Sequence, residues 1–158
     1  MPTPAALVDW SQPWLKPFRL LGQQLSVADD WRQALNTAAR ERDIRNYLGL
    51  PVSFVAQAEL PAATAYESFI GSSGKVPTRD NLHDFLNALI WLSFPAVKAR
   101  LNALQAAELA KAGTVSGSSK PRGAARDAAT IFDENAALLL VPDNAAGQSL
   151  SMALRQHQ

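Results

Sequence analysis

Between Pro77 and Leu92 the chain reads P-T-R-D-N-L-H-D-F-L-N-A-L-I-W-L, and no other run constrains the fold as strongly. Wound as a helix, Leu82, Phe85, Leu86, Ala88, Leu89, Ile90 and Leu92 cover most of the circumference. His83, Asp84, Asn87 and Trp91 gather on the remaining arc. A helix apolar around most of its girth is a buried helix. Its polar strip then has to face a hydrogen-bonding network, a cleft or a partner.

Enough apolar residues accompany that helix to bury it. Of 158 residues, 47% are hydrophobic and 18% charged, which suits one core of ordinary domain size. No run approaches the roughly 20 apolar residues of a membrane helix. The opening MPTPAALVDW lacks a basic segment and reaches Asp9 too early for a signal peptide. The absence of cysteine excludes disulfides, thiolate chemistry and Cys-ligated zinc. These features lead us to expect a single globular domain over 1–158, cytoplasmic and away from membranes.

The net charge of +1 hides a split. From Lys75 to Arg126 eight basic residues stand against three acids, so this segment carries +5 and the rest −4. A solvated helix face with a basic loop explains that excess most simply. An anionic ligand is the sharper alternative. Basic-aromatic interleaving of the kind that stacks nucleobases is missing, because aromatics such as Trp91 and Phe94 form no spaced repeat.

Along the chain, Trp10, Pro13, Trp14, Pro17 and Phe18 mark 1–25 as an irregular aromatic, proline-rich lead-in with a short helix over 15–25 ending near Gly22. Ser26 with Asp29 and Asp30 predicts a capped helix to about Arg42, burying Val27, Trp31, Leu35, Ala38 and Ala39. Residues 51–55 read as a short strand. Residues 61–70 admit helix or strand, and 71–74 a turn. Asp80 or Asn81 caps the central helix, the latter forming a shortened capping box with Asp84. Pro95 opens the next helix, which runs to about Ala112 and buries Val97, Leu101 and Leu104. Residues 113–123 have the composition of a flexible loop. A short helix follows over 127–134, stopped by Asn135 in a left-handed conformation. Residues 136–141 read as a buried strand, and 142–158 as a weakly packed tail with a helix over 148–155. The fold class expected is α+β, mostly helical, with a central buried helix and a few short strands.

Most catalytic templates fail. A phosphate-binding loop ending at Gly74-Lys75 would need glycine at Phe69 and Ser or Thr at Val76. Ser72 and Lys75 have S-x-x-K spacing but fall in a glycine-rich turn, which cannot align them on one helix face. His83 is followed by Asp84 and then Asn87, so H-E-x-x-H is absent. The hairpin-and-helix spacing of ββα-metal nucleases is not met either.

What survives is a constellation. His83 and Asn87 lie one turn apart, and Lys98 and Asn102 repeat that spacing on the following helix. Packed as a hairpin, the two helices would bring His83, Asp84 and Asn87 to Asn102 or to Asp133-Glu134-Asn135 across one polar seam. Catalytic candidates are His83, Asp84, Asp133 and Glu134, with His83 a base or a metal ligand. Ligand-binding candidates are Arg79, Asn87, Trp91, Lys98, Asn102, Arg126 and Asp127, the arginines suiting an anionic group bidentately. Each has a plainer role. Isolated His, Asn and Asp on a buried helix most often form a satisfied structural network, Trp91 suits a core, and Asp80 and Asn81 suit caps.

The same residues carry a resemblance. V-P-T-R-x-N-L-H-D-F continues through N-A-L and Trp91, Phe94-Pro95, Lys98, Leu101-Asn102 and Arg126-Asp127-Ala128 to Thr130 and Phe132-Asp133-Glu134-Asn135. Tyr66-Glu67 and the strand over 51–55 fit upstream. This pattern, over roughly 45–141, resembles the bacterial family known as domain of unknown function 3025. The resemblance brings no activity, substrate or cofactor. It implies further residues after the F-D-E-N run, so a second half of the family pattern is expected to be shortened or replaced here.

Two functional classes follow. One is a binding module whose polar strip and basic segment 75–126 hold a ligand, anionic or not, or a partner. The other is a hydrolase, metal-dependent or not, built on His83. The apolar strand over 136–141, with little chain left to cover it, adds an expectation of self-association.

Overall fold

The computed structural model describes residues 4–113, 123–136 and 139–156. Among them are seven α-helices and two strands, a mostly helical α+β fold. Helix α1 spans Arg19–Ser26 and α2 Trp31–Glu41; strand β1, Ser53–Ala56, precedes α3, Tyr66–Ser73, and β2, Lys75–Thr78. Then come α4, Leu82–Ser93, α5, Pro95–Gly113, α6, Ala124–Asn135, and α7, Ala145–Arg155. No helix of the described residues is long and apolar enough to cross a membrane.

The core forms around α4, as its apolar girth requires. Phe85, Ala88, Leu89, Trp91 and Leu92 are buried against Trp31, Leu35, Ala38 and Ala39 of α2, Phe54 of β1, Ile70 of α3 and Val76 of β2. Leu82 and Leu86 close the cluster's edge. Asn81 caps α4, its side chain accepting the Asp84 backbone N–H at 2.8 Å.

Strand β2 was not foreseen, because K-V-P-T is short and carries a lysine and a proline. It pairs with β1 in parallel, Ser53 opposite Lys75 and Ala56 opposite Thr78, with α3 as the crossover that parallel strands need. Residues 61–70 thus resolve as helix from Tyr66 onward, and the expected turn over 71–74 shrinks to Gly74. That glycine ends α3 at φ +71°, and a Cβ there would strike the Pro51 carbonyl. Asn46 locks the loop before β1 onto α3: its amide donates to the Ile70 and Gly71 carbonyls and accepts from the Leu48 and Leu50 N–H groups.

Several expectations are corrected. Gly22 is inside α1 rather than at its end, bare of a Cβ where the Trp10 ring presses on the helix. Ser26 ends α1, donating to the Gly22 carbonyl at 2.7 Å, and Asp30 caps α2 instead. Val27, left between the helices, is 84% exposed. Val97 and Leu104 are also exposed, because α5 turns Lys98, Asn102 and Gln105 inward. Asn135 is the last residue of α6 and Ala136 after it is extended, so no left-handed stop occurs there.

The buried strand over 136–141 does not form among the described residues. Ala136 and residues 139–141 are irregular, and Leu140 is 95% exposed. The tail is helical earlier than expected, from Ala145, with Asn144 as cap. Its Leu150, Met152 and Leu154 remain exposed. The expected flexible loop over 113–123 falls mostly outside the described residues; Gly113 belongs to α5 and Gly123 caps α6.

Candidate functional site

Helix α5 carries an unusual inner face. Lys98, Asn102 and Gln105 follow i, i+4, i+7 spacing, so they stack on one side, and that side is the buried one. Buried polar groups of this kind need partners, and α3, α4 and α6 supply most of them. The Lys98 ammonium bonds both Asp133 carboxylate oxygens at 2.7 and 2.8 Å and the Asn87 side-chain oxygen at 2.8 Å. It also lies 5.7 Å from the centre of the Trp91 ring. Asn102 donates to the Glu67 carbonyl at 2.8 Å and to its carboxylate at 2.7 Å.

Above this layer opens a cleft of about 590 Å³. Tyr66 and Glu67 enter from α3, His83, Asp84 and Asn87 from α4, Gln105 from α5, and Arg126, Thr130, Asp133 and Glu134 from α6. Arg79, just past β2, stands at its edge. Burial first, and the nearby Glu67, Asp84 and Asp133 carboxylates after it, push the Tyr66 phenol well above its ordinary value, so Tyr66 is neutral. Burial likewise raises the Glu67 carboxyl, against the opposing Asn102 hydrogen bond and the Lys98 and Arg126 charges.

The polar strip of α4 divides in use. Asn87 is tied to Lys98, with the Tyr66 hydroxyl 3.5 Å from its amide nitrogen. Asp84 turns away from His83 and binds Arg79, taking the backbone N–H at 2.7 Å, Nε at 3.1 Å and Nη2 at 3.0 Å. His83 is exposed at the cleft and makes no hydrogen bond with a described residue. Trp91 is 1% exposed in the core, beyond direct reach of a ligand. Asp127 is half-buried and does not line the cleft, while Glu134 is exposed along its wall. The expected seam thus exists between Asn87 and Asp133, with Lys98 as its bridge, and His83 stands outside it.

Among the described residues no three His, Asp or Glu side chains come together as a metal site requires. Three groups here are left short of partners, one of them the buried Oδ1 of Asn102. The buried Nε of Arg126 has none, and its guanidinium enters no ion pair with a described residue. Gln105, only 6% exposed, makes no hydrogen bond with one. Elsewhere in the basic segment Lys75 pairs with Glu59, Arg79 with Asp84, Lys98 with Asp133 and Lys111 with Glu108, while Arg100 is exposed to solvent.

Residues 52–158 match a family described as protein of unknown function (DUF3025). The chain belongs to that family. The match begins at Val52, at the start of the sheet, and runs through α7, past residue 141 where the motif resemblance ends. Every residue lining the cleft falls within it. Among curated proteins and solved structures nothing matches the chain. In this DUF3025 protein Glu67, Tyr66 and Gln105 line the cleft without belonging to the candidate set that the sequence suggests. Gln105 is one further helical step along the stripe that Lys98 and Asn102 begin, so the spacing held that signal.

Asp84 yields a test by pH. Burial raises its carboxyl, but the Arg79 bonds outweigh burial and hold it below the ordinary 3.8. A depressed folded-state value contributes stability above the unfolded value and loses it as pH falls through the folded one. Asp84→Asn is therefore expected to cost about 1–3 kcal/mol at neutral pH. The gap from the parent chain should close in melts taken progressively below pH 3.8. A constant gap down to the acid limit would refute the ionic role.

Proposed function

We propose that this DUF3025 chain is a ligand-binding module whose cleft seats a small molecule through a carboxylate or phosphate group on Arg126. The observation that carries this reading is the guanidinium itself, which lines a concave polar cleft with its Nε buried and unpartnered. A buried donor left unsatisfied is costly, and an anion forked across the guanidinium removes the cost. The surrounding ion pairs support the reading, because Lys98 and Arg79 are already neutralised and hold the walls in place. Preorganised walls of this kind lower the ordering cost of binding.

The hydrolase alternative gathers less support. A general base is normally oriented by a second group, and His83 has no hydrogen-bonding partner among the described residues.

Thermal shift and calorimetry with acetate, succinate and inorganic phosphate test the proposal. At a hundredfold excess over Kd the chain should gain about 2.7 kcal/mol in stability, and Arg126→Gln should abolish that gain without lowering the unliganded melting temperature. Equal shifts in both chains, or none in the parent, would defeat the reading.

A further inference from the structure

Resting on the Arg126 reading, we infer that the ligand carries a protonated amine beside its anionic group, as a small amino-acid-like zwitterion does. The cleft is polarised to receive both charges. Its α6 wall presents the donor-only guanidinium of Arg126. Its α3 wall presents the Glu67 carboxylate, of which Oε2 is held by Asn102 at 2.7 Å while Oε1 has no hydrogen-bond donor among the described residues. Arg126 acts on the Glu67 carboxyl through space but makes no ion pair with it. The two opposite charges thus face one cleft, each short of a partner.

On α5, lining the same cleft, is Gln105, 6% exposed, with neither its amide oxygen nor its nitrogen bonded to a described residue. An amide offers an acceptor to an ammonium and a donor to a carboxylate. The remaining charges around Glu67, Lys98 and Asp133, are consumed by each other. A simple anion would satisfy Arg126 and leave Glu67 and Gln105 as they are. A zwitterion satisfies all three, and burial of Glu67 sharpens the preference, since an ammonium beside it offsets the cost of keeping that carboxylate charged.

Matched probes decide the question on the unaltered chain. Calorimetry compares L-alanine and L-glutamate with their deaminated counterparts propionate and glutarate, with the decarboxylated amines, and with inorganic phosphate. The zwitterions should bind about tenfold or more tightly than their deaminated partners. Glu67→Gln should erase that advantage without weakening propionate and glutarate binding, and Arg126→Gln should remove the binding of both classes. If the deaminated acids or phosphate bind as well as the zwitterions and still depend on Arg126, the inference fails and the anion-binding reading stands. If nothing binds through Arg126, both fail. The comparison of probes needs no variant, so a Glu67→Gln chain that folds poorly leaves the inference open to refutation.

Discussion

Replacing Lys98 with methionine is expected to cost the fold about 3–5 kcal/mol, the usual toll of stranding one partner of a buried ion pair. The Lys98 side chain is 6% exposed and that of Asp133 17%, so water gives the orphaned carboxylate little relief. Asn87 loses its donor in the same step. For a chain of this size the loss corresponds to a melting temperature lower by roughly 10 °C. The decisive comparison is the double variant Lys98→Met, Asp133→Leu. Removing both charges leaves nothing unpaired, and such replacements are often neutral or better. Most of the lost stability should therefore return, as a strong coupling in a double-mutant cycle. A single variant within about 1 kcal/mol of the parent would show that the pair is not buried in solution.

That pair also explains how much of the site was readable beforehand. The spacing of His83 with Asn87 and of Lys98 with Asn102 places polar residues on helix faces, and the structure puts Asn87, Lys98 and Asn102 into one network. Spacing does not say which face of α5 turns inward. Judged by apolarity, Val97, Leu101 and Leu104 should be buried, yet only Leu101 is. The polar stripe displaces the other two because Asp133 and Glu67 await it on α6 and α3. Those acceptors lie 35 residues away in either direction, beyond the reach of any local pattern.

The fold was legible where one segment carries its own instruction. Helix α4 has its apolar girth and its Asn81 cap, and α2 has its buried Trp31, Leu35, Ala38 and Ala39. Strand β2 has no such instruction. Lys75, Val76, Pro77 and Thr78 form a strand because β1 lies alongside and α3 returns the chain to it. The stretch 136–141 fails in the opposite way, its apolar residues suggesting a strand for which the described residues offer no neighbour. Apolarity specifies burial only where a second surface exists to meet it.

The second large effect is expected at Phe85, where the lead-in meets the core. Its side chain is 0% exposed. The Trp10 ring stands edge-on to it at 6.4 Å between centroids, and the Trp31 ring at 5.8 Å. Both tryptophans precede the 52–158 family match, whereas Phe85 lies within it, so one ring joins the two parts of the chain. Phe85→Ala should cost about 3–5 kcal/mol through lost transfer energy and the cavity left behind. Phe85→Leu, which keeps most of the volume, should cost less than half as much. Urea melts measure both, with an unchanged slope showing that the native and denatured states keep their compactness. The near-ultraviolet signal of the tryptophans should weaken in the alanine variant, because Trp10 and Trp31 lose the ring that orders them. Benzene then separates a cavity from general loosening. A dry apolar cavity binds it, so benzene should restore part of the stability of Phe85→Ala and none to the parent chain. A cost below about 1 kcal/mol for Phe85→Ala would mean that this ring does not anchor the core.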